Sequence, residues 1–458
     1  MSNVKDMTEG NVRNTILTFF FPIFFTNLLQ QLYSFVDTAI VGKGLGSESL
    51  AAVGNMASIT FLVVGFSIGL ANGFSVLIAQ SFGAKDYKQL GHTLGASVKL
   101  AAIVCVCLTF LSVVGLRGIL NLMRTDPSIM GESLTYGYII FGGLVFTISY
   151  NLCAAILRAL GDSRTPLRAI IVASVLNLGL DCLFIFVLRF GVAGAAVATV
   201  FSQLVSTVIC FRRILSLEID DAAKLKKENL RNPRSLYVNL LKNGIPMAFM
   251  NSITAIGCMV VQYFVNGFGV ACTAAYSACT KYLNLFMQPA CTAGHTIASF
   301  AGQNSGAGRY DRVQKGLNVC LVIAFFTFAV LGSLMMFRPE WLASIILNDA
   351  ASIDYAVRFL PICGSMIWAV DALFVFRSAL QGIGNPMVPM ASGILEMLLR
   401  IGIILIFSGS LGFIATAFAE IGAWTGALLL NVIAFHIRLR KKKRVFSKSA
   451  CIPTTYRV

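Results

Sequence analysis

The sequence predicts an all-α integral membrane protein of twelve transmembrane helices arranged as two pseudo-symmetric six-helix lobes. Three observations carry that prediction. Of the 458 residues 57% are hydrophobic and only 12% charged, with a mean hydropathy of +0.79, more apolar surface than a soluble core can bury. The apolar residues fall in about a dozen runs of roughly 20 residues or more, the length that crosses a bilayer as a helix. Polar landmarks of the first half return in the second at one interval. In hydrocarbon each backbone N–H and C=O must be satisfied within its own segment, and runs without period-2 alternation do this as helices rather than as a barrel.

Taken in order, the predicted spans cover residues 13–41, 50–82, 91–116, 130–157, 166–188 and 192–211, which make an amino-terminal lobe over 1–211. A charged stretch, 212–235, reads as a cytoplasmic linker. The carboxy-terminal lobe, 236–437, has spans at 236–268, 271–300, 313–337, 356–380, 387–407 and 411–437, and a basic tail, 438–458, follows. The first run is too long for a signal-peptide core and lacks a small-residue cleavage pattern, so it is expected to be retained.

The formal net charge is +16. Most Lys and Arg lie at the termini and in alternate connections, the distribution of a topology signal rather than of a nucleic-acid surface. It predicts a multi-pass protein of the cytoplasmic membrane with both termini in the cytoplasm. The tail from Arg438 to Arg444 reads as an orientation anchor. Most of the 12 cysteines sit in apolar runs without the paired spacing of a metal or redox site, as small hydrophobes do.

The repeat has one dominant interval. Gln80, Gly83 and Ala84 match Gln303, Gly306 and Ala307; Gly161 and Pro166 match Gly384 and Pro389; Gly44 and Gly46 match Gly267 and Gly269. In each case the second number minus the first is 223. Pro22 and Asn27 match Pro246 and Asn251 one residue out of step. An even number of spans per half makes the repeats parallel, an architecture that transporters use to rock one half against the other around a substrate.

Acidic residues within spans are the best functional candidates, because each is costly at mid-membrane unless paired, hydrated or protonated. They are Asp37, Asp181, Asp371, Glu396 and Glu420. Asn177 and Asp181 are spaced i,i+4, so an amide oxygen and a carboxylate share one helix face and suit Na⁺ or a held proton. Asp37 belongs to a first helix with an unusually polar run, Gln30, Gln31, Tyr33 and Ser34 among it; its alternative is simple hydration near a helix end. Thr199 is a candidate further hydroxyl ligand or an ordinary packing threonine. At the repeat interval Asp37 corresponds to Val260, Asn177 to Arg400 and Asp181 to Ile404, so ion chemistry is expected to be lopsided. Glu396 and Arg400, again i,i+4, are expected to neutralise each other. Asp371, Lys281, Gln262 and Asn151 are candidate cavity residues with Gln30 and Gln31, and Tyr33 and Tyr136 are aromatic candidates for meeting flat cations. His295 and Glu420 read as locally satisfied polar residues.

No phosphate-binding loop of the G-x-x-x-x-G-K-[ST] type occurs, so an ion gradient, H⁺ or Na⁺, is the expected energy source, with no cofactor. No G-x-S-x-G or H-E-x-x-H constellation supports an enzyme.

These residues resemble the multidrug and toxic compound extrusion (MATE) family. The likeness is carried by Pro22 with the stretch from Gln30 through Asp37 to Gly42, by Ala51 to Gly54, Gln80 to Ala84, Leu157 to Pro166 and Asn177 to Asp181, and by Asp371 and Leu380 to Gly382; it covers nearly the whole chain. It implies a V-shaped pair of lobes and antiport of organic, often cationic, compounds such as drugs against H⁺ or Na⁺ by alternating access. It also implies a cation site at Asp37, Asn177 and Asp181 with Thr199, and a bend of the first helix at Pro22. In another branch of the family the essential acids lie in the carboxy-terminal lobe. Asp371 matches one of these, but the seventh helix offers only Asn251 and Gln262. A flippase of lipid-linked precursors is the rival function, with a membrane enzyme or scaffold behind it. A monomer meeting lipids and small molecules, and no nucleic acid, is expected.

Overall fold

The computed structural model describes residues 5–123, 125–217, 220, 222, 229 and 232–450, and among them every regular element is helical. The expected linker and basic tail lie partly outside the described residues. In the first half, α1 (Val12–Leu45), α2 (Ser47–Gly83) and α3 (Tyr87–Leu122) are long single helices. They are followed by α4 (Pro127–Gly142), α5 (Leu144–Ala159), α6 (Arg164–Asp181) and α7 (Gly191–Leu215). The second half holds α8 (Arg234–Gly267), α9 (Val270–Phe286), α10 (Gln288–Gly306), α11 (Tyr310–Thr327), α12 (Ser333–Phe337) and α13 (Pro339–Ile346). It ends with α14 (Ala350–Gly382), α15 (Met387–Leu411) and α16 (Ala415–Ala450), the last running on through the basic stretch that begins at Arg438.

Nine stretches among the described residues are long and apolar enough to cross a membrane, ten when α4 and α5 count as one bent span. One of them, Met387–Arg444, takes in α15 and most of α16. The twelve-span reading holds, with two expected spans broken. The span expected at 130–157 bends by 47° between α4 and α5, where Gly143 lies so close to α7 that a Cβ would stand 2.5 Å from Val200. The span expected at 271–300 divides at Met287 into α9 and α10, because Pro289 fits the first turn of a new helix and not the interior of an old one.

The chain forms two compact units, Met1–Asp6 with Phe21–Ala248, and Met7–Phe20 with Phe249–Val458. It changes unit within α1 and within α8, close to Pro22 and Pro246, the prolines inside those helices. The core of the first unit gathers Phe74 and Ile78 of α2, Leu90 and Leu94 of α3, Ile156 and Leu157 of α5, and Leu240 of α8. Gly73 admits the start of α8, since a Cβ there would meet the Gly244 backbone at 2.4 Å. In the second unit Tyr276 of α9 stacks edge-on against Phe359 of α14, which lies against Phe413.

The backbone repeats as the sequence does. Besides Gly10 and Gly191, left-handed φ angles among the described residues occur at Gly46, Lys85, Gly161 and Arg189, and again at Gly269, Gly308, Gly384 and Gly412. The differences 269 minus 46, 308 minus 85, 384 minus 161 and 412 minus 189 all equal 223. Two of these turns tolerate Lys and Arg where the second half uses glycine, so conformation is kept where residue type is not.

Several motifs prove to be structural. Asp162, buried, accepts from the Arg164 and Thr165 N–H groups at 3.1 and 3.0 Å, from the Thr165 hydroxyl at 2.7 Å and from Arg213 Nε at 3.3 Å, so it caps α6 and ties it to α7. Gln303 accepts from the Met7 N–H at 2.8 Å, Asn304 donates to the Met7 carbonyl at 3.1 Å, and Arg312 donates to the Gly10 carbonyl at 2.8 Å. These bonds fasten residues 7–10 to the second unit.

Candidate cation site

Asp37 lies two turns before the end of α1, and its neighbourhood is set by an apolar cluster of Val41, Ile185 and Ala195, packed by Ile40, Leu45, Val53 and Tyr136. Ile185 belongs to a π turn, Cys182–Val187, that extends α6 immediately after Asp181. The extra residue of a π turn shifts the helix face by which it packs, and Gly44 makes room for it: a Cβ there would stand 2.7 Å from Ile185. In this way the cluster brings the carboxyl of α1 to the carboxyl at the end of α6.

The carboxyls of Asp37 and Asp181 are neighbours that interact directly. Two carboxyls so placed stay together only with a proton on one of them or a cation shared by both. Asp181 and Asn177 are buried. The Asn177 amide satisfies all its neighbours when its nitrogen donates to Asp181 Oδ2 at 2.6 Å, while its oxygen accepts from the Tyr33 hydroxyl at 3.3 Å and from the Thr199 N–H at 3.2 Å. Tyr33 is also hydrogen-bonded to the Thr199 side chain, and Tyr136 of α4 lies within electrostatic range of both carboxyls. Asp37 Oδ1 and Asp181 Oδ1 are buried and receive no donor. Such oxygens suit a small cation or a proton.

The structure therefore gathers Asp37, Asn177, Asp181 and Thr199 with Tyr33 and Tyr136. Gln30 and Gln31 are exposed on α1, and Asn151 of α5 is half-buried with its Nδ2 unpartnered. In the second unit, described by itself, Gln262 donates to Asn266 at 2.8 Å and Lys281 is exposed. Asp371 is fully buried in α14 with no donor to either carboxyl oxygen.

The expected ion pair of Glu396 and Arg400 is present at 3.8 Å, but it belongs to a larger buried cluster in which each has a closer partner: Arg377 for Glu396, and Glu420 for Arg400, whose Nη2 is 3.0 Å away. Tertiary neighbours win because they meet the carboxylates head-on, whereas an i,i+4 pair must bend both side chains along one helix. Arg377 escaped the sequence reading, although an Arg in the same apolar run as Asp371 was the available signal.

Two parallel repeats of membrane-spanning helices, with a buried and a half-buried carboxyl paired in one of them, define a polytopic membrane protein of the secondary-transporter class. The MatE family model matches the chain twice, over residues 22–183 and 246–406, matches whose ends differ by 223, as 406 minus 183. The chain belongs to the MatE family, the multidrug and toxic compound extrusion transporters. It is similar to the probable multidrug resistance protein YpnP of Bacillus subtilis, 33% identical over 320 residues, with 67% of this chain and 68% of that one covered. It is also similar to the probable multidrug resistance protein YoeA of the same organism, 28% identical over 363 residues and 78% of each chain. The fold matches a crystal structure of MATE in the bent conformation with a TM-score of 0.91 at 21% identity, over 98% of this chain and 99% of that one.

Proposed function

We propose that this transporter exports organic, often cationic, amphipathic compounds such as drugs from the cytoplasm in exchange for H⁺ or Na⁺, and that Asp37, Asn177, Asp181 and Thr199 hold the coupling cation. The observation that carries the reading is the Asp37 and Asp181 pair: two carboxyls from different helices, with buried oxygens that lack donors, are poised to take up one positive charge. The names of the two Bacillus subtilis relatives support the substrate class. Within the first unit Tyr33, Tyr136 and Asn151, with Gln30 and Gln31 along α1, supply aromatic and amide surface for such compounds; Gln262, Lys281 and Asp371 are the corresponding candidates in the second. Pro22, where a backbone hydrogen bond is missing, is the place for α1 to bend when the charge of the site changes. No cofactor is needed, both termini lie in the cytoplasm, and the working unit is a monomer in lipid.

Purified protein in liposomes tests this. An imposed pH or Na⁺ gradient should drive a fluorescent cation across the membrane, and Asp181→Asn should abolish gradient-driven movement while leaving insertion and folding intact. Unimpaired gradient-driven transport by Asp181→Asn at matched reconstitution would refute the assignment. Scrambling of labelled lipid without cation transport would point to a flippase instead.

A further inference from the structure

In the second unit the residue at the repeat position of Asn177 is Arg400, since 400 minus 177 is 223. Its guanidinium lies between two carboxylates from different helices. Nε and Nη2 donate to Glu420 Oε2 of α16 at 3.1 and 3.0 Å, and Nη1 stands 3.8 Å from Glu396 Oε2 of α15. Arg377 of α14 pairs with the other oxygen of Glu396. All four side chains are at most 8% exposed, and the cluster of two cations and two anions is neutral. Arg400 Nη1 is buried without a hydrogen-bond partner and faces Gly257 of α8, where a Cβ would lie 3.6 Å away.

We propose that Glu396 and Glu420 form a second cation site that is permanently filled by a tethered cation, the guanidinium of Arg400. The charge balance argues for it. Without Arg400 the cluster keeps Arg377, Glu396 and Glu420 and carries one net negative charge in a medium of low dielectric, where an unpaired carboxylate is several kcal/mol too costly to persist. The vacated space has the shape of a guanidinium, with a carboxylate on either side to receive its donors. A cation attached to the backbone cannot leave during a transport cycle, so this unit keeps its charge while the first unit exchanges its own. The comparison takes the first-unit site from the reading above, but the test below reads binding and not coupling, so either can fail without the other.

Arg400→Ala, purified in detergent, is titrated with guanidinium chloride at low millimolar concentrations while its thermal unfolding is followed. The free ion should stabilise the variant saturably, by roughly 3–5 °C, and should stabilise neither the wild type nor Arg400→Ala/Glu420→Gln. A variant that responds to guanidinium no more than the wild type overturns the proposal. If Arg400→Ala does not accumulate in membranes, the neutral double variant decides: its accumulation supports an uncompensated charge as the defect, and its failure overturns the proposal.

Discussion

Gly44 and Ile185 hold α1 against the π turn that follows Asp181, with only 2.7 Å between the Ile185 side chain and the place where a Cβ on Gly44 would stand. Gly44→Val must therefore push α1 off the turn, at a cost of about 1–3 kcal/mol for overpacking, and it separates Asp37 from Asp181. The expected result is a loss of ion-dependent thermal stabilisation with the protein still folded. Gly54→Ala, at a position with nothing within 4 Å, is the control and should retain that stabilisation. Equal behaviour of the two variants would show that this approach does not shape the site.

Asp162 is an acid with a structural part. Its carboxylate receives two backbone N–H groups, a hydroxyl and an Arg, so Asp162→Ala leaves buried donors unpaired and should destabilise the protein by about 2–3 kcal/mol. Ion and substrate affinities of the variant that does fold should stay at wild-type values. A thermal midpoint unchanged from wild type would contradict the capping role.

Outside the membrane spans, Asp349 shows what pH should do to a helix start. Its carboxyl is held below the ordinary carboxylate range by the Ser352 N–H and then by the Ser352 side chain, the N–H bond measuring 2.9 Å. A depressed folded value means that the cap stabilises at neutral pH and is lost as the pH falls through that value, below about pH 4. Protection of the amides in the first turn of α14, taken relative to their intrinsic exchange rate, should fall in that range, and in Asp349→Ala it should be low at every pH.

Much of this was legible in the sequence, because a membrane leaves few choices: long apolar runs must be helices, and the landmarks at one interval had to be a repeat. The four pairs of left-handed residues, Gly46 to Gly269 among them, show that the interval is a property of the backbone. The breaks at Gly143 and Met287 were not legible, since they depend on Val200 approaching from another helix and on Pro289 starting a new one. For the site, the i,i+4 spacing of Asn177 and Asp181 was enough to find half of it. The meeting with Asp37 was implied by the family resemblance and not by spacing, because it depends on the π turn after Asp181, which no spacing rule anticipates. The Glu396 and Arg400 spacing found one pair of a four-residue cluster; Arg377 and Glu420 come from elements that local periodicity cannot place.

The distribution of Lys and Arg predicts that α8 begins in the cytoplasm. In a background without native cysteines, Ser235→Cys should be modified by an impermeant thiol reagent only after the membrane is permeabilised. Labelling from outside intact cells would overturn the topology, and with it the direction of export.

On the proposed assignment of the coupling cation to Asp37 and Asp181, it and the exported compound should compete for the charge there. As direct neighbours the pair cannot carry two negative charges unaided, so a proton or Na⁺ taken up there removes the negative charge that attracts an organic cation. Uptake also changes the forces on α1, which can respond at Pro22, where the helix lacks a backbone hydrogen bond. The sign follows: raising H⁺ or Na⁺ should weaken the affinity for a fluorescent cation, by up to about tenfold per pH unit if one proton competes with one ligand. Asp37→Asn removes one of the two acids, so the remaining carboxyl no longer shares its charge and the dependence should largely disappear, as it should in Asp181→Asn. Equilibrium titrations of the wild type and both variants over a range of pH and Na⁺ measure this directly. If the ion dependence survived unchanged in both variants, coupling would have to reside elsewhere, and Asp371, buried in α14 with neither oxygen satisfied, would be the next residue to replace.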